Sequence, residues 1–260
     1  MLKTISRAFL DANQRASALF DRLLPRALRV DGYSDFAKQF APAWIRPGMK
    51  IVDVGGGKRP YFSPSEKNRL SLQVVGLDIS ADELALAPAG AYDQTLCSDI
   101  SSVAGDATAD ACICLAVLEH VQDTQAAIQS LSTLLKPGGV ALIFVPSRNA
   151  CFARLNLLLP QEFKVKLLSM VFRDAHGHGF VSYYHRCTPK DFAEMASNAG
   201  LAVQDARFYF SSKYFAYFLP AHIVWRAWIL LFKAICGNQA AETFAVALVK
   251  RQGGNDPRTA

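Results

Sequence analysis

Short apolar runs alternate with stretches of helical periodicity between residues 50 and 145, which is the pattern of β-α-β units and a parallel sheet. Two further apolar runs follow after residue 200. The predicted strands are 50–54, 72–78, about 92–99, 109–116, 139–146, about 201–210 and 243–251. We therefore expect an α/β fold with a Rossmann-like, doubly wound, seven-stranded sheet, mostly parallel and with an antiparallel last strand. Cys112 and Cys114 should share one face of their strand.

Two helices are predicted between these strands. The run 124–139 carries apolar residues at helical spacing until Pro137 and Gly138 stop it. The run 188–201 begins with Thr188, a suitable N-cap residue, and ends at a glycine.

The N-terminal residues also recur at helical spacing, as Leu2, Ile5 and Phe9 illustrate, which predicts cap helices before the sheet. Two long connections in the second half are expected to form lids, because both leave the sheet at its carboxyl edge. For the second connection this follows from the expectation that the sixth strand runs parallel to its neighbours. The predicted organisation is N-terminal cap helices over 1–45, a main domain over 46–251 with lid insertions at about 147–190 and 211–241, and a disordered tail over 252–260.

The composition, with 51% hydrophobic and 19% charged residues in 260, predicts one sizeable core. Six cysteines contain no CxxC pair, which favours reduced thiols in a cytoplasmic protein. Charges interrupt the first residues every few positions, so no secretory signal is predicted.

The net charge of +6 is unevenly distributed. Residues 1–50 carry +5, residues 51–145 carry −6, residues 146–200 carry +3 and residues 201–260 carry +4. Basic segments therefore flank an acidic centre, and they would attract phosphates, anionic lipid surfaces or nucleic acid. Ordinary solvated surface charge is the alternative interpretation.

Acidic residues end three successive predicted strands. Asp53 ends the first and is followed by three glycines, which let the chain turn sharply and present backbone N–H groups. Asp78 ends the second strand, where doubly wound folds place a carboxylate that accepts ribose hydroxyls, and Asp99 ends the third. The three acids at one sheet edge predict a crevice for an adenosine-like ligand.

A nicotinamide dinucleotide site is disfavoured, because G-x-G-x-x-G is absent and Lys58, Arg59 and Pro60 follow the glycines directly. Pro60 and Pro64 also make the next helix short or late, whereas a pyrophosphate needs a helix immediately after the turn.

Five motifs in this order, "VDVGGGK", "VVGLDIS", "CSDIS", "ADACICLAVLEHV" and "LLKPGGVALIFVPS", resemble those of the class I S-adenosylmethionine-dependent methyltransferases, of the type 11-like kind. The resemblance covers about residues 45–205 and implies an enzyme with S-adenosylmethionine as its cofactor. By position it implies that the cofactor-binding residues are Asp53, Gly55, Gly57 and Lys58 near the methionine part, Asp78 and Ile79 near the ribose, Asp99 and Ile100 near the adenine, and Leu115 and Ala116 near the sulfonium. Arg59 replaces the family's usual third glycine and faces either the cofactor carboxylate or an anionic acceptor; we assign it to substrate binding.

The signature Asn/Asp-Pro-Pro-aromatic of amine-methylating enzymes is absent after the fourth strand, where "LAVLEH" stands. We therefore expect an oxygen or carbon acceptor, for which a general base is required. His120 is the first candidate base, with loop ordering as its alternative role, and Tyr184 and His185 are further catalytic candidates. Tyr183 and Arg186 are predicted to bind substrate. A zinc site in this loop would fit no familiar spacing, so no metal is predicted.

The longest stretch of the aromatic segment 211–241 without Lys or Arg runs only from Tyr214 to Trp225, and Pro220 interrupts it, which predicts that the segment is too short to span a bilayer. A helix from Ala221 would place its polar residues, His222, Arg226 and Lys233, on one narrow stripe. This helix has three possible roles: membrane contact, packing in the core or a dimer, and binding of an apolar substrate.

The segments "VPSRNACFARLNLLLP" and "YYHRCTPKDF" resemble those of bacterial methyltransferases associated with cell-surface glycans and lipid-linked intermediates, and "LEHV" resembles the same motif in ubiquinone-pathway methyltransferases. We predict methyl transfer to an oxygen or carbon of a small amphipathic, lipid-linked or glycan-type acceptor, by a cytoplasmic protein with peripheral membrane contact. The alternatives are an RNA methyltransferase, which the missing RNA-binding module disfavours, and a non-catalytic membrane-associated cofactor-binding module. Nucleic acid is not expected as a partner, and the oligomeric state stays open.

Overall fold

A computed structural model describes residues 2–158, 181–212 and 214–252. Its seven strands are β1 (Lys50–Val54), β2 (Gln73–Asp78), β3 (Gln94–Cys97), β4 (Ala109–Leu115), β5 (Leu135–Pro146), β6 (Leu201–Tyr209) and β7 (Thr243–Lys250). They form one sheet of order β3-β2-β1-β4-β5-β7-β6. Strands β1 to β5 are parallel, and β7 is antiparallel to both β5 and β6. The predicted Rossmann-like α/β fold is confirmed.

Helices cover both faces of this sheet. The described α-helices are α1 (Leu2–Asp21), α2 (Gly32–Asp35), α3 (Pro64–Arg69), α4 (Ala81–Ala85), α5 (Thr124–Leu134), α6 (Cys151–Leu158), α7 (Pro189–Asn198) and α8 (Leu219–Cys236). A π-helical turn, Phe36–Phe40, continues α2, and 3-10 turns occupy Arg26–Leu28, Ala41–Ala43, Ile100–Ser102, Leu118–His120 and Gly237–Ala240. Thr188 caps α7, where its side chain accepts a hydrogen bond from Asp191 N, as its sequence predicts.

Three strand details differ from the sequence prediction. The helix α5 ends at Leu134, so β5 starts earlier than predicted. Leu135 pairs with Ala109 and Val140 with Ala111, so the proline-glycine segment between them bulges out of the ladder. Strand β3 is shorter than predicted. Strand β6 has β7 as its neighbour in the described sheet and is antiparallel to it, although we expected parallel neighbours. Because β7 reverses direction, the carboxyl end of β6 still reaches the same edge as β1 to β5.

The core has two layers, one on each face of the sheet. Cys112 and Cys114 belong to the layer under α5 and α7, as their spacing predicts. Ile113, between them in β4, points to the opposite layer, where it packs with Phe36 and Phe40 of the N-terminal cap.

Helix α8 buries its polar stripe together with the apolar residues Trp225 and Ile229. His222 and Arg226 are each only 1% exposed. Both face Asp21 at the end of α1, with His222 Nε2 2.9 Å and Arg226 Nε 2.7 Å from Asp21 Oδ1. Lys233, the third member of the stripe, places Nζ 4.3 Å from the centre of the Phe210 ring. The polar stripe therefore anchors the helix to the protein.

The opposite side of α8 is apolar and faces solvent. Its exposed apolar residues, with the fraction of each that is exposed, are Ile223 (39%), Val224 (70%), Trp228 (49%), Leu230 (37%), Leu231 (55%) and Ile235 (73%). We call this set the α8 outer face. The expectation that the segment is too short to span a bilayer is corrected. By length and composition alone, Leu219–Ala240 is long and apolar enough to cross a membrane, with a mean hydropathy of 1.4. It is one such helix in the described ranges, which is weak evidence for a span.

The predicted tail from residue 253 onward, and residues 159–180 of the first predicted lid, lie outside the described residues. The second predicted lid does not reach the two cavities described below, because no described residue of 211–241 lines them.

Candidate active site

The turn after β1 depends on glycine at two positions. Gly55 and Gly57 have φ angles of +69° and +46°, where a side chain would strain the backbone. A Cβ at Gly55 would also lie 2.5 Å from Cγ2 of Val117. The backbone of the turn therefore lies close to Val117 after the end of β4, and the glycines allow the sharp turn that the sequence predicts.

Asp53, near the end of β1, stabilises this turn through hydrogen bonds to its carboxylate. Its Oδ2 accepts hydrogen bonds from Tyr61 N at 2.7 Å and from the Tyr92 hydroxyl at 3.4 Å. The side chain is 3% exposed, and this burial raises the pKa of Asp53 to about 6, against the opposing effect of the two hydrogen bonds. Asp53 therefore orients the loop and does not line the cavity above it, where we predicted a contact with the methionine part.

A cavity of about 680 Å³ opens at the carboxyl edge of β1, β2 and β4, and we call it the larger cavity. Eight of the predicted site residues line it. They are Gly55, Asp78, Ile79, Asp99, Ile100, Ala116, His120 and Tyr183. The strand ends bring together residues that are up to 128 positions apart in the sequence, from Gly55 to Tyr183. Doubly wound sheets bind their ligands at the carboxyl ends of the strands, at the point where the strand order reverses.

Two carboxylates in the larger cavity each keep an oxygen for a ligand. Asp78 Oδ1 accepts Ser80 N at 2.9 Å, and Asp99 Oδ1 accepts Ser101 N at 2.8 Å. Neither Oδ2 has a hydrogen-bond donor among the described residues. Asp78 is 8% exposed, and its Oδ2 can accept a hydrogen bond from a ligand donor such as a ribose hydroxyl.

Besides Asp53, three of the predicted cofactor residues lie outside the larger cavity. Lys58 Nζ pairs with Glu83 Oε1 of α4 at 2.9 Å and does not line the larger cavity. Gly57 is buried beneath the turn, where a Cβ would lie 3.0 Å from Asp78 Oδ2. Leu115 points to the other face of the sheet and lines a smaller cavity together with Arg59. Strand alternation explains this split between Leu115 and its neighbour Ala116.

His120 lines the larger cavity and contacts the loop opposite. Its Nδ1 lies 3.1 Å from the Val181 carbonyl oxygen and 3.3 Å from Ser182 Oγ. Because a carbonyl oxygen can only accept, Nδ1 carries the proton of the neutral ring and the lone pair is on Nε2. The Nδ1 contacts agree with the alternative role of His120 in ordering the loop, and its role as a base stays a prediction.

Glu119 is a buried acid that the sequence prediction overlooked, although it is part of the quoted "LEH" run. It is 5% exposed, and burial raises its pKa to about 8. Its Oε1 lies 3.9 Å from His120 Nε2, and Oε2 has no partner among the described residues. Its backbone carbonyl accepts the N–H groups of Tyr183 and Tyr184 at 2.8 and 3.0 Å. The Glu119 backbone therefore holds the loop, and its buried carboxyl lies beside the His120 ring.

Three other predicted residues of this loop point away from the larger cavity. Tyr184 is 4% exposed and packs in the core, where burial raises the pKa of its hydroxyl. His185 does not line the cavity, and its carbonyl accepts the Thr124 hydroxyl at 2.5 Å. Arg186 pairs with Glu194 of α7 at 2.9 Å. Positive φ angles at Tyr184 and Arg186 twist the chain and turn these side chains inward.

Comparison with known proteins identifies the family. The profile of a family described as "Methyltransferase domain" matches residues 20–206. This chain belongs to that family. It is therefore a methyltransferase enzyme that depends on S-adenosylmethionine, as the motif resemblance implies.

Among the curated relatives is the ubiquinone biosynthesis O-methyltransferase of Cupriavidus pinatubonensis, which is 29% identical over 76% of this chain and 74% of its own length. The present chain covers less than two thirds of the length of some further relatives with the same description, down to 53%.

Two solved structures share the fold. An S-adenosylmethionine-dependent methyltransferase from Mesorhizobium loti has a TM-score of 0.54 and 16% identity, over 84% of this chain and all of that chain (100%). Phosphoethanolamine N-methyltransferase 2 of Haemonchus contortus, in complex with S-adenosyl-L-methionine, has a TM-score of 0.52 and 17% identity, over 85% of this chain and 52% of that chain.

The larger cavity fits S-adenosylmethionine by its donor and acceptor chemistry. Asp78, with an unsatisfied oxygen, suits the ribose hydroxyls, and the apolar Ile79 and Ile100 suit a purine ring. When bound, S-adenosylmethionine supplies an electrophilic methyl group on a sulfonium.

Proposed function

We propose that this methyltransferase transfers its methyl group to an oxygen of a small amphipathic acceptor, a hydroxyl on an aromatic ring of the quinol type. The similarity to ubiquinone biosynthesis O-methyltransferases supports an oxygen acceptor. The absence of the amine-methylating signature after β4 supports the same choice.

The observation that carries the proposal is the position of His120 at the larger cavity, with its lone pair on Nε2. A hydroxyl becomes a good nucleophile when a base removes its proton during attack. His120 Nε2 accepts that proton while the new oxygen–methyl bond forms and the sulfur–methyl bond breaks. The two apolar residues Ala116 and Val117 border the same cavity and reduce access of water to the reacting atoms.

We further propose that the acceptor is lipid-linked and that the enzyme binds the membrane surface through the α8 outer face, where it reaches this acceptor. An exposed apolar face of this kind is typical of an interface. Exposed arginines stand on the helix that packs against α8 and just beyond it, namely Arg15, Arg22, Arg26 and Arg29. They complement anionic lipid headgroups, whose attraction for each nearby cation is about 1 kcal/mol. We therefore propose an anionic bilayer surface as the partner of this face.

Partition of a labelled methyl group tests the acceptor class. The purified enzyme is incubated with a bacterial extract and methyl-labelled S-adenosylmethionine, and the label is measured in lipid, polysaccharide, RNA and small-molecule fractions. We expect the label in the lipid fraction, on an ether that resists mild base. Label in the polysaccharide would instead support a glycan acceptor, and label in RNA would contradict the proposal.

A further inference from the structure

A smaller cavity of about 440 Å³ lies between the N-terminal cap and α3. The cap contributes Tyr33 and Ala37, the loop after the glycines contributes Arg59 and Tyr61, α3 contributes Arg69, and β4 contributes its last residue, Leu115. This cavity is separate from the larger one, since the two share no lining residue.

Two guanidinium groups in this cavity have no hydrogen-bond acceptor among the described residues. They belong to Arg59 and Arg69, both exposed. The one acid in the lining, Glu66, is already engaged, because its Oε2 accepts Ser63 N at 3.0 Å and the Ser63 hydroxyl at 2.6 Å. The Ser63 hydrogen bonds and the nearby Arg69 lower the pKa of Glu66, so this carboxylate stays charged and partly neutralises Arg69. The lining keeps a net positive charge, and both guanidinium groups still offer N–H donors to an anion.

Aromatic rings form much of the remaining wall. The Tyr61 hydroxyl donates to Ala37 O at 2.9 Å, which fixes its ring against the cap. Phe62 packs on Tyr61 with 4.8 Å between ring centres. Tyr33 stands at the opposite side of the cavity, on α2. Rings in such positions favour a flat aromatic ligand.

The smaller cavity meets the larger one at the end of β4. Leu115 lines the smaller cavity and Ala116, the next residue, lines the larger one. Ala116 has a φ of +58°, which is unusual for a residue with a side chain, and its N–H bonds to Phe144 O at 2.9 Å. The chain is thus held in a tight bend between the two cavities, where by family resemblance the sulfonium is placed.

We infer that the smaller cavity binds the anionic end of the methyl acceptor, whose hydroxyl extends past Leu115 to His120 in the larger cavity. Arg59 and Arg69 then select acceptors whose aromatic ring carries an anionic group, a carboxylate or a phosphate. This inference rests on the proposed function, because it supplies the acceptor site for an aromatic hydroxyl. It also gives a role to Arg59, which replaces the third glycine that the motif resemblance implies.

Binding to a matched pair of probes tests the inference. The probes are 3,4-dihydroxybenzoate and its uncharged analogue 3,4-dihydroxybenzamide, titrated by calorimetry into the full chain saturated with S-adenosylhomocysteine. We expect the benzoate to bind at least about tenfold more tightly than the benzamide. R59Q and R69Q should each remove about five- to tenfold of that preference and leave cofactor affinity unchanged. Phenyl phosphate and a free phosphate ion, used as competitors, distinguish a ring-borne anion from an isolated one.

The matched control is K58Q, which removes a neighbouring cation that already pairs with Glu83. Its preference for the benzoate should equal that of the unmodified chain. Equal binding of the two probes, or a preference that survives both arginine substitutions, would overturn the inference. Methylation of the probes is a separate readout: arginine-dependent binding without turnover would support the acceptor cavity and count against the proposed oxygen chemistry.

Discussion

Arg226 of α8 donates two hydrogen bonds to the carboxylate of Asp21 in α1, from Nε to Oδ1 at 2.7 Å and from Nη2 to Oδ2 at 2.8 Å. The guanidinium also donates to Phe210 O at 2.7 Å and to Leu28 O at 3.2 Å. A fully buried arginine is tolerated only when its donors are satisfied in this way. The pair joins the first helix to the last one and sets the orientation of the α8 outer face.

D21N should therefore destabilise the fold, because it leaves the buried Arg226 without its counter-charge. We expect a loss of about 3 kcal/mol in the free energy of unfolding, measured by urea denaturation at neutral pH. K58Q is the control, since the exposed pair of Lys58 with Glu83 should contribute less than about 1 kcal/mol. A loss in D21N no larger than that of K58Q would show that the buried pair does not hold α8.

D78N should weaken binding of S-adenosylmethionine by about a hundredfold, because an amide cannot accept both ribose hydroxyls and it places a donor against them. Calorimetry on the purified chain measures this. D82N, four residues along on the exposed start of α4, is the matched control and should bind normally. Unchanged affinity in D78N would contradict the assignment of the larger cavity.

Substitution of His120 can separate its two roles. H120N keeps an N–H donor near the position of Nδ1 and removes the nitrogen that acts as the base. It should lower kcat by about 10² to 10⁴ with an unchanged cofactor affinity. H120A removes the loop contact as well, so it should also increase protease cleavage near Val181. Equal kcat values in H120N and the unmodified enzyme would exclude His120 as the base.

The stability of the protein should fall as the pH rises toward 8. Burial raises the pKa of Glu119 from 4.5 to about 8, so the folded state holds a proton that the unfolded state releases. This contribution is fully present below pH 4.5 and is lost as the pH rises through about 8. The slope is at most about 1.4 kcal/mol per pH unit.

E119Q should lack this slope. Unfolding free energies at pH 6.5 and 8 decide the matter, and this range lies above the pKa of about 6 that Asp53 has in the fold. D53N therefore serves as the control and should retain the slope. A slope that is identical in E119Q would mean that Glu119 is ionised in the folded protein.

The α8 outer face can be tested by flotation with vesicles. V224E and L231E place charges on exposed positions of α8 and should abolish binding to vesicles with anionic lipids, without loss of stability. L86E is the matched control, because Leu86 is 65% exposed and lies at the end of α4. Equal flotation of V224E and L86E would contradict the proposed membrane contact.

The sheet and the acid-bearing strand ends were predictable, because period and spacing in the sequence determine them directly. Asp78 and Asp99 lie in the larger cavity for this reason. The side of α8 that faces the protein was not predictable. A stripe of polar residues looks the same whether it faces water or a buried acid, and Asp21 is about two hundred residues away from Arg226 in the sequence.

The loop residues after Val181 show the same limit of local reasoning. Tyr183 reaches the larger cavity, whereas its neighbour Tyr184 is buried in the core. Left-handed backbone at Tyr184 and Arg186 decides this difference, and neither is a glycine that would signal it in the sequence. Glu119 was overlooked because burial, which the sequence does not state, is what makes its carboxyl unusual.

Strand β7 has a consequence for the order of events during synthesis. It lies between β5 and β6, yet among the described strands it is the last to leave the ribosome. Until residue 250 has emerged, β5 and β6 each present an open edge to which other nascent chains can pair. Most of the cofactor-binding half can form before then, but a chain that stalls before Thr243 would remain a substrate for chaperones.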